Sequence, residues 1–277
     1  MTAPRSEYLQ SPVLTQTMPS GPRSVRGITV LSGEVFLVRG RSANVEAYEL
    51  EALTPRRSFI VDELVDPSDV ASCPKFDCLY VSDWIGSVVH RVELNGNATC
   101  WLTDDVPNGI SVTNNTGNVI VTCNETRKLK EYTTHGNMLR EVRLQEDLIR
   151  PWHAVQSSDG KFIVCHGWTS DEWNRVCVIG ADGRMTRRHY GRHPGPAGNG
   201  LVRLSVDMQD NILVADFNNA RVLLLSPLLT DVRELVSQRD VSGEFKPGRL
   251  CLDESCGRLF VADSCQKNVL VFQVQNV

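Results

Sequence analysis

The stretch ILVADFNNARVLLLS, from Ile212 to Ser226, sets two apolar runs on either side of a short polar loop. Each run is too short for a helix and is rich in Val and Leu, so the pair reads as two strands of a hairpin. Asp216 ends the first run and Arg221 opens the second. A carboxylate so placed either performs chemistry or holds the turn by bonding the loop amides and the facing Arg. Recurrence decides between these, because catalytic residues are normally single whereas turn residues repeat with the fold.

The pattern recurs. EVFLVRGRSANVEAYEL, CLYVSDWIGSVVHRVEL, NVIVTCNETRKLKEYTT, KFIVCHGWTSDEWNRVCVI and RLFVADSCQKNVLVFQV have the same order of apolar run, loop and apolar run. The residue matching Asp216 is Arg39, Asp83, Cys123, His166 and Asp263, with gaps of 40 to 50 residues between successive units. A period of about 45 residues belongs to propeller blades. Within each unit a Pro- or Gly-bearing turn leads to a short strand, then a tight Asp/Asn/Gly turn such as SSDGK or DESCGR, then the two runs, then a more polar fourth strand. The expected fold is therefore all-β, a six-bladed β-propeller with four antiparallel strands per blade. The last unit has only three strands before Val277, while the stretch around EYLQSPVLTQT is strand-like and spare. Residues Glu7–Thr17 are expected to pair beside Val269–Val274 and close the ring. The expected organisation is an N-terminal arm over 1–24 and a propeller over 25–277. Asp83, Asp216, Arg221 and Asp263 are assigned to holding turns.

VADFNNARVLLLS, preceded by RLSVDMQDN, resembles an NHL repeat, the unit of the C-terminal propeller of tripartite-motif proteins. The likeness is specific in the fifth and sixth units and degraded in the first, third and fourth. It implies a fold far more than an activity. No RING or B-box stands in the first 24 residues, so no ligase activity is expected of this chain.

Composition narrows the function classes. The 277 residues carry a net charge of −4, which argues against a global attraction to nucleic acid. No apolar run approaches the roughly 18 residues of a membrane-spanning helix, and the first residues lack the apolar core of a secretory leader. A cytoplasmic location without membrane contact is the expectation. The nine cysteines are odd in number and sit mostly in apolar runs, where the thiol is a small hydrophobe. The paired spacings Cys73/Cys78 and Cys251/Cys256 do not match a zinc site.

Function is sought where the copies differ on one face. The second residue after each turn Pro, or its equivalent, is Gly27, Asp69, Gly109, His153, Arg203 and Arg249. These residues, with Arg26 beside them, are expected to ring the channel mouth. The long loop CHGWTSDEWNR brings His166, Trp168 and Trp173 toward Trp152 and His153, and Trp84 lies in the matching loop of the second unit. Only Trp101 of the five tryptophans falls elsewhere. Exposed Trp and Arg are the composition of binding hot spots. The expected binding face is thus Trp84, Trp152, His153, His166, Trp168, Trp173, Arg26, Arg203 and Arg249. The leading reading is a non-catalytic module that binds a partner protein or peptide there. The alternative ligand is single-stranded RNA, through local phosphate contacts and stacking. An enzyme is set lower. There is no G-x-S-x-G element and no phosphate-binding glycine loop. Six-bladed hydrolases and lyases that seat calcium or zinc use several acidic, amide or imidazole ligands. Here Asp69 and Asn108 stand beside Arg203 and Arg249, and His153 and His166 lack a third partner. No metal and no cofactor are expected.

Overall fold

A strand pressed between two neighbours must be apolar on both faces, and a strand at a rim need not be. That gradient organises the whole chain. The computed structural model describes residues 10–167, 175–190 and 203–275, and among them 24 strands form six four-stranded sheets. The chain opens with β1 (Gln10–Met18). Blade 1 is β2 (Val25–Leu31), β3 (Glu34–Arg39), β4 (Asn44–Glu49) and β5 (Pro55–Ile60). Blade 2 is β6 (Pro67–Cys73), β7 (Cys78–Asp83), β8 (Val88–Glu93) and β9 (Ala98–Leu102). Blade 3 is β10 (Pro107–Val112), β11 (Val119–Cys123), β12 (Lys128–Tyr132) and β13 (Met138–Arg143). Blade 4 is β14 (Pro151–Gln156), β15 (Phe162–His166), β16 (Arg175–Ile179) and β17 (Met185–Tyr190). Blade 5 is β18 (Leu204–Val206), β19 (Ile212–Asp216), β20 (Arg221–Leu225) and β21 (Val232–Ser237). Blade 6 is β22 (Pro247–Asp253), β23 (Arg258–Asp263) and β24 (Asn268–Gln275), with β1 as its fourth strand. A single turn of 3-10 helix over Gln238–Asp240, capped by Ser237, has no counterpart in the sequence reading.

The six-bladed propeller is thus as expected, including closure by the N-terminal strand. Met18 faces Val269, Thr17 faces Leu270 and Leu14 faces Phe272 in antiparallel register. The strand runs one residue beyond the expected end, and Met18 is buried. Second strands such as β3 and β7 are buried along their whole length, whereas β5 and β9 are mostly exposed. Six apolar clusters fill the six seams between neighbouring blades. The seam from blade 5 to blade 6 packs Leu213, Val222 and Leu224 on Leu259, Val261 and Phe272. The seam from blade 6 to blade 1 packs Met18, Phe260, Val269 and Val271 on Val35 and Leu37. Each fully buried Phe or Leu contributes about 1.5–3 kcal/mol, so stability is distributed around the ring. Seven of the nine cysteines lie in or against these seams, Cys100 and Cys265 are exposed, and no two of the nine form a disulfide. Burial pushes the Cys123 thiol up to about 12, so it stays a neutral hydrophobe. Among the described residues no helix is long and apolar enough to cross a membrane.

Loop carboxylates tie the hairpins together. Asp83, buried at the end of β7, accepts hydrogen bonds from the amides of Val65 (2.6 Å), Asp66 (3.2 Å), Ile85 (3.1 Å) and Gly86 (3.2 Å). It joins the loop entering blade 2 to the loop leaving β7. Asp263 accepts from the amides of Lys246 (3.1 Å) and Cys265 (2.9 Å) in the same manner. Asp216 differs: it accepts from the Asn219 amide (2.8 Å) and from Arg221 Nε (2.8 Å), both side chains.

Two stability outcomes follow. Deleting residues 1–20 strips β1 from blade 6 and bares the edge of β24, and should lower Tm by at least about 5 °C in a thermal melt. An unchanged Tm would show that closure contributes nothing. Asp83→Ala orphans buried amides and should cost about 3 kcal/mol in urea unfolding, against about 1 kcal/mol for Asp216→Ala, whose side-chain partners reach water. Equal losses would contradict this ranking.

Candidate functional site

A recurring irregularity aims side chains at the propeller axis. The pairing of first and second strands slips by one residue after Val25, Pro67, Pro107, Pro151 and Pro247. Each slip is a β-bulge, which re-aims the residues around it. The residue after the bulge is Gly27, Asp69, Gly109, His153 or Arg249. In blade 5 the matching Arg203 precedes the short β18. Two of the six must be glycine for want of space. A Cβ on Gly27 would lie 2.5 Å from the Val70 nitrogen, and one on Gly109 would lie 2.5 Å from the Trp152 oxygen.

The remaining four side chains converge. The Asp69 carboxylate lies 3.6 Å from Arg249 Nε, 3.8 Å from Arg203 Nε and 3.8 Å from His153 Nε2. It also accepts from the amides of Val70 (3.1 Å) and Ile110 (3.4 Å). Arg249 donates to the carbonyls of Ser68 (2.7 Å) and Gly248 (2.9 Å), and Arg203 donates to the Trp152 carbonyl. His153 Nε2 stands 3.2 Å from the Ile110 carbonyl. All four side chains are buried. Burial pushes the His153 imidazole down to about 4, Arg203 and Arg249 add to that, and Asp69 opposes it. The ring is therefore neutral at pH 7. Burial, then the charge of Arg203, also presses the Arg249 guanidinium well below its usual range.

Above this cluster lies a cavity of about 840 Å³. The bulged residues Arg26, Ser68, Asn108 and Trp152 line it, and Arg203 and Arg249 form its floor. Trp84, nearly half exposed, and the loop residues Glu125 and Arg127 complete the wall. Trp152 is fixed by a hydrogen bond from Nε1 to the Gly167 carbonyl (3.0 Å), and Arg127 by one to the Glu146 carbonyl (3.1 Å). Asp66 is engaged by the Arg41 amide (2.7 Å). Glu125 and Arg26 make no hydrogen bond or ion pair among the described residues. A smaller cavity of about 270 Å³ opens toward the other end of the inner strands, with Thr29, Ser111 and Gln156 in its wall, and Arg203 and Arg249 border both. Among the described residues no three His, Cys, Asp or Glu side chains gather as a metal-binding group.

Of the expected face, Arg26, Trp84, Trp152, Arg203 and Arg249 meet at this cavity. Two expectations need correction. His153 is 6 % exposed and clamped beneath the cavity, because its bulge turns the ring against Gly109 and the Ile110 carbonyl. His166, 2 % exposed, ends the second strand of its blade, where both faces are covered. Neither presents a surface. Arg203 and Arg249 are likewise a buried floor and not a solvated rim. Trp168 and Trp173 lie outside the described residues. Trp101 packs against Tyr80 and Tyr132, with ring centroids 6.0 and 5.9 Å away. Glu125 was missed by sequence reasoning. It lies one residue past the position matching Trp84, in the loop that follows the second strand of blade 3, and that shared loop was the available signal, but one acidic residue in a turn looks like solvated surface.

No family model matches the chain, and no curated protein matches it in sequence. Several solved structures resemble it. A streptogramin B lyase is 14 % identical, with 98 % of this chain and 100 % of that chain covered and a TM-score of 0.68. The hydrazine synthase of Kuenenia stuttgartiensis is 14 % identical over 98 % and 100 % of the two chains, with a TM-score of 0.70. A catalytically inactive virginiamycin B lyase from Staphylococcus aureus, solved with quinupristin, is 12 % identical over 94 % and 99 %, with a TM-score of 0.66. At these identities the likeness carries the fold. It corrects two expectations. The architecture is a six-bladed propeller of the shape those lyases also have, and is not specifically that of NHL repeats. The non-catalytic reading also falls, for a protein or peptide ligand and for single-stranded RNA alike. It rested on missing nucleophile and phosphate motifs, and propellers named as enzymes share this architecture over nearly the whole chain.

The His153 environment has a pH consequence. An imidazole that folding holds at about 4 binds fewer protons than the unfolded one, whose pKa is about 6.5. Stability is therefore intact above about pH 6.5 and falls as pH drops toward 4, by about 3 kcal/mol for this group. Urea midpoints measured across that range should show the slope, and His153→Gln should flatten it. The part due to His90, also lowered by burial, would remain. An equal slope in the variant would refute the assignment.

Proposed function

We propose that this propeller is an enzyme of the lyase class acting on a small molecule in the cavity at the channel mouth. The observation that supports it is the composition of that cavity. Glu125, a carboxylate without an ion-pair partner among the described residues, shares one concave wall with two tryptophans and several arginines. An elimination needs those parts. A base takes the proton from the carbon next to an acyl group, positive groups stabilise the enolate that develops, and the bond to the leaving group then breaks as the double bond forms. Glu125 is the candidate base. Arg203 and Arg249 are the fixed donors, since their carbonyl hydrogen bonds and the Asp69 contacts hold them in place without reorganisation. Trp84 and Trp152 offer apolar walls for the body of the substrate. The likeness to propellers named as lyases supplies the reaction class to test, and quinupristin, present in one of those structures, is a first compound to try.

The purified protein should be incubated with quinupristin and with a panel of acyl compounds bearing a leaving group on the β carbon. Mass spectrometry and ultraviolet absorbance would follow the products. An unsaturated product without added water is the expected result. Glu125→Gln should lower kcat by about a hundredfold or more with the substrate Kd little changed. A product that has gained the elements of water would make the protein a hydrolase. Turnover indifferent to Glu125 would remove its role.

A further inference from the structure

We infer that Arg203 and Arg249, at the floor of the cavity, and Arg26 in its wall form a seat for a small oxyanion, a carboxylate or phosphate group carried by the substrate. This rests on the reading that the cavity holds a small-molecule substrate, and it names the group by which that substrate is held.

Charge is the first ground. Among the described residues, Arg26, Arg127, Arg203 and Arg249 line the cavity, against the carboxylates of Asp66 and Glu125, with Asp69 beneath as a third. Asp66 is engaged by the Arg41 backbone amide and approached by the Arg41 guanidinium at 4.0 Å. His153 is uncharged at pH 7 and adds nothing. At the buried floor two guanidinium groups share one carboxylate among the described residues, and Arg26 adds a further positive charge above them.

Unused hydrogen-bond capacity is the second ground. A guanidinium has five N–H groups. Arg249 commits two of them to the Ser68 and Gly248 carbonyls, and Arg203 commits one to the Trp152 carbonyl. Both Nε atoms are buried and have no hydrogen-bond partner, the Asp69 oxygens lying at 3.6 and 3.8 Å, too far to bond. Buried charged donors left unmatched are costly, and a planar fork is the natural complement of a carboxylate or phosphate. Arg26 stands on the bulge of blade 1, with no ion pair among the described residues, and close enough to Arg249 to weigh on its charge. An anion between them would relieve the mutual repulsion that Asp69 alone shares among three blades.

The test is direct binding, which needs no turnover. Inorganic phosphate and malonate, at ionic strength held constant with potassium chloride, should bind saturably by calorimetry and raise Tm above the chloride control. Arg26→Gln should weaken both by about tenfold or more, with Tm in chloride unchanged. Arg249→Lys keeps the charge but loses the fork, and should weaken them as well, measured on the folded fraction. Arg184→Gln, an exposed residue on the outer edge of blade 4 paired with Asp182, should have no effect. Absence of saturable binding beyond chloride, or equal weakening by Arg26→Gln and Arg184→Gln, would overturn the seat. Anion binding should survive Glu125→Gln. If it depends on Arg26 while turnover proves indifferent to Glu125, the seat stands and the elimination reading alone is lost.

Discussion

The Asp69 carboxylate sits where four blades meet with no strand pairing between them. Blades 2, 4, 5 and 6 reach the axis through Asp69, His153, Arg203 and Arg249, and every one of these contacts crosses the channel. In a medium of low dielectric such a cluster is stable only when its geometry is complete. Backbone carbonyls of Ser68, Gly248 and Trp152 complete it for the guanidinium groups, and the amides of Val70 and Ile110 complete it for the carboxylate. The glycines at 27 and 109 leave the space that these side chains occupy. One negative charge shared by two buried guanidinium groups leaves the axis positive. The same arrangement that joins the blades thus gives the cavity above it a charged, rigid floor.

Stability and chemistry occupy different parts of each blade. The second and third strands of neighbouring blades fill the six apolar seams, and their residues are interchangeable hydrophobes, cysteines among them. Side chains that face the cavity come from bulges and from loops after the second strands, where a change does not disturb the seams. This separation explains how the fold can be held at 12 to 14 % identity by proteins of different names. It also explains why a search for a local catalytic motif is uninformative in a propeller. The residues at the cavity come from positions 26 to 249, with contributions from all six blades, and no short window spans the site.

The Asp216 hairpin illustrates how much was legible in the sequence. Its two runs, its turn and its repeats gave the blade, its internal order and the need for a closing strand, and β1 lies beside β24 as expected. The turn residues were also readable, although the sequence could not rank them. Asp83 gathers four backbone amides in the interior, whereas Asp216 holds two side chains nearer the surface. The channel positions were found by counting from the turn proline, but their exposure was misjudged. His153, Arg203 and Arg249 looked like a rim and are buried at the axis, His153 and Arg249 swung inward by a one-residue bulge and Arg203 placed just ahead of the short β18. Arg127, which the sequence did not assign to the expected face, lines the cavity beside Glu125.

By itself the sequence determined the number of blades, the strand order within each and the closure of the ring. These follow from local periodicity and turn chemistry, which a linear string displays directly. Only the tertiary structure decided which side chains share the axis, that His153 is neutral, that Arg203 and Arg249 are buried with unspent hydrogen-bond donors, and that Glu125 stands in their cavity. Those properties arise from distances between residues far apart in the chain and from the loss of water around them, and neither quantity is written in any single repeat.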